Sequence, residues 1–113
     1  MSLAIRCMAE PVRELAFGAL GVAYMPVGTQ MTRPIRILVF QNTTDTAVMI
    51  SFDGVDDHLP LVPNGYMILD LTSNKTIPQG FFFAEGQTVF AKQIGAIPTS
   101  GSVYVSAFYG AEL

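Results

Sequence analysis

The sequence predicts an all-β fold: one antiparallel β-sandwich of about eight short strands, preceded by an N-terminal arm. Three observations predict it. Runs rich in Val, Ile, Phe and Tyr recur along the chain, cut by clusters of Gly, Pro, Asn and Asp at the ~8–12-residue spacing of sandwiches and barrels. No run holds a helical period long enough to compete, residues 1–10 before Pro11 alone excepted. A chain of 113 residues, 50% of them hydrophobic, suffices for one domain with a modest core.

The elements follow in order. Residues 1–11 are assigned to the arm, because Pro11 interrupts any regular element there. Leu3, Ile5 and Met8 are apolar but have no place in the strand count. Residues 12–113 form the sandwich. "RELAFGAL" (13–20) and "GVAYMPVG" (21–28) are the first two strand candidates. "PIRILVFQN" (34–42) alternates Ile35, Ile37 and Val39 against Arg36, Leu38 and Phe40, and "TTDT" then turns the chain. "AVMISFDG" (47–54) sets Val48, Ile50 and Phe52 against Met49, Ser51 and Asp53. "VPNG" (62–65) is a turn, since Pro presets φ and Asn-Gly accepts positive φ. "YMILDLTSN" (66–74) is strand-like, and "GFFFAEGQTVFAKQI" (80–94) reads as two short strands around Glu85-Gly86-Gln87. "PTSG" (98–101) leads into "SVYVSAFYG" (102–110), with Val103, Val105, Ala107 and Tyr109 opposing Tyr104, Ser106 and Phe108.

Charge is scarce. Only 13% of residues are Asp, Glu, Lys or Arg, against about 25% in an ordinary soluble domain. Mean hydropathy is +0.43. Several strands, such as 34–40 and 80–84, are apolar on both faces, where an antiparallel sandwich normally keeps one face wet. Both features predict that part of the surface is covered by another chain. The alternative is a monomer coated with Thr, Ser, Asn, Gln and Gly. The net charge of −3 and the lack of a basic run argue against a nucleic-acid binder.

Cys7 is the only cysteine, so no internal disulfide forms, and it reads as a small apolar residue of the arm. The apolar run "LAFGALGVAYMPV" (15–27) follows Glu10 and Glu14, is broken by Gly18, Gly21 and Pro26, and is shorter than the ~20 residues a span needs. It reads as strand material, and no membrane association is expected. The sequons at Asn42 and Asn74 matter only in a eukaryotic secretory protein, which nothing else supports.

The densest polar stretch is "SFDGVDDHLPL" (51–61), with Asp53, Asp56, Asp57 and the only histidine, His58. As a calcium loop it fails the D-x-[DN]-x-[DN]-G spacing and lacks the following bidentate Glu. One His and one distant Cys cannot close a zinc shell, and a cupin-type metal needs several His. No nucleophile or oxyanion motif accompanies the acids. The expected role is a polar turn at one end of the sandwich, with no metal, no cofactor and no catalytic residue. In Phe81-Phe82-Phe83, alternation sends Phe82 to the opposite face from its neighbours. One face is core, and the other is a candidate partner contact, because aromatics tend to anchor interfaces. The expected partner-contact residues are therefore Phe81, Phe82 and Phe83, with Ile5 and Met8 of the arm.

The runs "RELAFGAL…VGT", "PIRILVFQNTTDTAVMISFDGVDDHLPL", "ILDLTSNK", "GFFFAEGQTVFAK" and "PTSGSVYVSAFYG" resemble small virion proteins of tailed bacteriophages. Among these are jelly-roll cement or decoration proteins, which clamp neighbouring major capsid subunits. The resemblance covers roughly residues 12 to 110, leaves the first eleven aside, and rests on strand and turn patterns rather than catalytic signatures. It implies a jelly-roll-like sandwich made in the host bacterial cytoplasm and bound to the outside of the capsid. Its partners would be the major capsid protein and further copies of itself. Family members also sit at head–tail or tail positions. A glycan- or receptor-binding module on the virion is the other class of function, against which the absence of Trp and of a calcium loop counts.

Overall fold

The computed structural model describes residues 5–70 and 84–112. Among the described residues nine strands form two antiparallel sheets packed face to face: β1 (Ile5–Ala9), β2 (Arg13–Ala16), β3 (Met25–Pro26), β4 (Ile37–Asn42), β5 (Val48–Ser51), β6 (Leu59–Leu61), β7 (Tyr66–Asp70), β8 (Phe90–Gln93) and β9 (Ser102–Glu112). One sheet has the order β1-β9-β4-β7, with β2 also on β9, and the other runs β3-β8-β5-β6. β1 and β2 lie along the same edge of β9, so they count as one broken strand. The pairs are then first with last (β1/β2 with β9), second with seventh (β3 with β8), third with sixth (β4 with β7) and fourth with fifth (β5 with β6). That is one long hairpin wound around a core, the jelly-roll arrangement.

The expected alternation appears in the burial. Val103, Val105 and Ala107 of β9 and Leu38 and Phe40 of β4 face Val48, Ile50, Leu61 and Ala91 of the other sheet, all buried. Tyr104, Ser106, Phe108, Ile37 and Val39 on the outer face are only half-buried.

The arm assignment is corrected for residues 5–9, which pair with residues 108–112 of β9. Pro11 does not end the sheet; it sits in a bulge. Ala9 pairs with Phe108 and Arg13 with Val105, so four steps along the first strand match three along β9. The extra residue keeps Met8 on the same face as Arg13, although their spacing alone would put them on opposite faces. The β4–β9 register runs from Val103 to Phe108, while β1 pairs with β9 as far as Glu112.

Other differences are local. The run 13–20 leaves the sheet after Ala16 for a short 3-10 helix, Phe17–Ala19. In 21–28 only Met25 and Pro26 pair. β6 was not expected; Pro60 interrupts its pattern but is tolerated on the sheet edge that β6 occupies. The expected 80–84 strand falls largely outside the described residues.

Candidate functional site

The polar loop 52–58 is held by its own hydrogen bonds. Asp53 Oδ1 accepts from Val55 N (2.8 Å), Asp56 N (2.9 Å) and Ser51 Oγ (2.9 Å). These bonds hold the Asp53 carboxyl down at about 2, with the backbone N–H groups of Val55 and Asp56 the main cause. His58 Nδ1 accepts from Phe52 N (3.0 Å), which places the ring proton on Nε2, and the ring stacks on Phe52 at 5.6 Å. Asp57 turns away to accept from the Tyr24 hydroxyl and pair with Lys92 Nζ (3.2 Å), which lies 4.6 Å over the Tyr24 ring. Burial, then the Asp57 contact, pushes the Tyr24 phenol up. Asp53, Asp56 and His58 offer ligand atoms within 4.8 Å of one another, but all three side chains are exposed, and one oxygen of Asp53 and one nitrogen of His58 already serve the turn. The arrangement terminates β5 and ties the loop to β3 and β8.

A second polar cluster lies at the bulge. Arg13, though nearly buried, donates from Nη2 to Glu10 Oε1 (2.6 Å) and Gln30 O (3.0 Å), and from Nε to Thr29 O (2.7 Å). Thr32 Oγ1 donates to Glu10 Oε2 (2.6 Å). Burial raises the Glu10 pKa, but the bonds from Thr32 and Arg13 outweigh it and leave it lowered. A groove of about 350 Å³ runs alongside, lined by Pro11, Val12 and Gly28 among others. Arg13 Nη1 is buried without a partner and shows under 1 Å² of surface, so it is not presented to the groove. The cluster fastens the bulge to the 27–36 connection.

Of the expected contact residues, Phe81, Phe82 and Phe83 lie outside the described residues. Ile5 is in β1 opposite Glu112. Met8 pairs with Tyr109, whose ring packs against the core. Met8 therefore sits half-buried on the core-side face and is not an outward anchor.

The exposed apolar side chains are elsewhere. At one end of the sandwich four connections meet: 17–23, 43–47, 62–65 and 94–101. Hydrogen bonds join them, including Phe17 N to Gly101 O, Gln93 N to Gly21 O, Ile94 N to Ala47 O and Thr43 N to Ser102 O. Fully buried Asn42 is the hub: Nδ2 reaches the carbonyls of Thr46, Leu61 and Val62, and Oδ1 accepts from Thr44 N and Oγ1. A glycan on that Asn42 amide is incompatible with the fold. Val22 (82% exposed), Ile97 (72%), Val62 (67%), Phe17 and Ile94 project from this end. Within these four connections the one charged residue is Asp45, whose carboxylate accepts from Thr99 N (2.8 Å) and the Thr99 hydroxyl. The opposite end carries Arg33, Arg36, Asp53, Asp56, Asp57 and Glu85. Along the sheet edge, Tyr66, Met67 and Ile68 of β7 are also exposed. Sequence reasoning missed both surfaces. No protein-family model, no curated protein and no solved structure matches this chain.

Proposed function

We propose that this chain is a non-enzymatic virion structural protein, a cement or decoration protein that binds the major capsid protein on the outer surface of a tailed-phage head and bridges neighbouring capsomers. The observation that carries the reading is the exposed apolar surface of Val22, Val62, Tyr66, Ile68 and Ile97 on a chain with few charges. Clusters of exposed apolar side chains are characteristic of partner-binding faces. Most polar groups that could do chemistry are engaged: Asp53 and His58 in turn bonds, Asp57 in ties to Tyr24 and Lys92, Glu10 and Arg13 in a structural clamp. Binding by apolar area suits a lattice, where modest contacts multiply through repeated copies. The resemblance of residues 12 to 110 to small virion proteins supplies the capsid as partner.

The test is to mix the protein with heads that lack it and to sediment the particles. Saturable co-sedimentation, with density on the outer shell in a reconstruction, is the expected result. Free protein at every concentration, or density at the tail only, overturns the reading.

A further inference from the structure

We infer that Asn64 is a site of spontaneous deamidation that the folded 62–65 turn holds shut, so that its modification records the opening of that turn. The inference needs no partner and is independent of the cement reading. The chain has three asparagines, and Asn64 alone precedes glycine; Asn42 precedes Thr43 and Asn74 precedes Lys75. In the reaction the Gly65 backbone nitrogen gives up its proton to solvent base and attacks Asn64 Cγ. The Cγ–Nδ2 bond breaks, and ammonia leaves with a proton from water. Water then opens the resulting cyclic imide at either carbonyl, leaving an aspartyl or an isoaspartyl residue. A following residue without a Cβ hinders that attack least.

The turn demands the two residues that make this bond labile. Asn64 has φ 60°, a left-handed conformation that Asn tolerates and most side chains do not. A Cβ at Gly65 would lie 2.8 Å from Val62 Cγ2 and 2.9 Å from Val62 O. The same turn then blocks the chemistry. Gly65 N donates to Val62 O (2.9 Å), and Gly65 O accepts from Asn42 N (2.9 Å). A nitrogen bonded in this way cannot lose its proton and swing onto Cγ until the turn opens. The Asn64 side chain is exposed and makes no hydrogen bond among the described residues. Asp53-Gly54 is the one comparable pair, and there both members are held: Asp53 Oδ1 by Val55 N and Asp56 N, and Gly54 N by Ser51 Oγ (2.9 Å). What restrains Asn64 is therefore the backbone of Gly65. The isoaspartyl product lengthens the main chain by one methylene inside the turn. Gly65 N then no longer meets Val62 O, and the turn does not close again.

The test holds the full chain in mildly alkaline buffer, folded or unfolded in guanidinium chloride, and maps its peptides by mass for exchange of an amide for an acid. The unfolded chain should react first at Asn64, giving paired aspartyl and isoaspartyl peptides. The folded chain should react there at least about tenfold more slowly. Hydrogen exchange of Gly65 N–H reads the same opening in the unmodified protein, and its protection should track the slowing at Asn64. Asn42→Ala removes the Nδ2 bonds to the Leu61 and Val62 carbonyls. If circular dichroism shows it folded, it should lose Asn64 faster and protect Gly65 less. If it does not fold, the wild-type comparison of exchange with modification decides. Equal rates in folded and unfolded chains would overturn the inference. So would an unfolded chain in which Asn42 or Asn74 reacts first, Asn64 loss faster than Gly65 opening allows, or a folded Asn42→Ala protein that reacts no faster than wild type.

Discussion

Single residues decide what the acidic loop does. Asp53 stands at the end of β5 because its carboxylate can accept from the N–H groups two and three residues on, as an Asx turn requires. His58 gives its free nitrogen lone pair to Phe52 N. A divalent cation would find exposed ligands only, with Asp53 Oδ1 and His58 Nδ1 already engaged in the turn. Thermal unfolding should therefore be unmoved by EDTA or by millimolar calcium; a rise of several degrees with calcium would mean that the native state binds it. The same bonds set an acid limit. The folded Asp53 pKa of about 2 lies below the 3.8 of the free side chain, so the unfolded chain takes up the proton first. The stabilisation is full above about pH 4 and is lost as pH falls towards about 2. Asp45, Asp57 and Glu10 are shifted the same way and add to the slope. Melting temperature measured across this range should drop steeply, and Asp53→Ala should lower the neutral value and flatten the drop. An unchanged slope in that variant would remove Asp53 from the account.

At the scale of elements, alternation made β4, β5 and β9 legible, since each buries one set of every second residue. The "VPNG" turn was equally legible: Gly65 N closes onto Val62 O at 2.9 Å with Asn64 at φ 60°. What misled were prolines. Pro11 read as a terminator but occupies a bulge, where the ladder is already interrupted. Pro60 hid β6, since a proline is tolerated at a sheet edge and being at an edge is a property of the topology. The exposed apolar end was hidden for the same reason. The connections 17–23, 43–47, 62–65 and 94–101 are far apart in sequence, and their scarcity of charge, Asp45 alone excepted, has meaning only once the winding brings them to one end. Gly101 shows how tightly they meet. Its φ is +86°, and a Cβ there would lie 2.1 Å from the carbonyl oxygen of Thr43. Backbone cannot yield as a flexible side chain can. Gly101→Ala should cost at least ~2 kcal/mol, read as a lower denaturation midpoint with an unchanged denaturant slope. Asn42→Ala should cost a similar ~2–4 kcal/mol, because several buried polar groups lose their partner at once. Gly18→Ala, with open space around it, is the control and should be near neutral.

For the whole molecule, the question is which force holds it to its partner. Six Lys and Arg and nine Asp and Glu give electrostatic attraction little to act on, and exposed ion pairs contribute only ~0–1 kcal/mol each. Apolar burial contributes ~25 cal/mol per Å², so a few side chains such as Ile68 and Tyr66 outweigh every rim charge. These two lie on β7, an exposed apolar strand among the described residues, and it is the strand proposed to meet a capsid surface. Decorated heads washed in about 1 M salt, with a Debye length of ~3 Å, should keep the protein. Ile68→Asp, at a position 57% exposed, should cost no more than ~1 kcal/mol of stability. It should nevertheless lose its place on the head, since an unpaired carboxylate would be buried in the contact. Release by salt, or a folded Ile68→Asp protein that decorates as well as the parent, would show that charge and not apolar area makes the attachment, or that another face does.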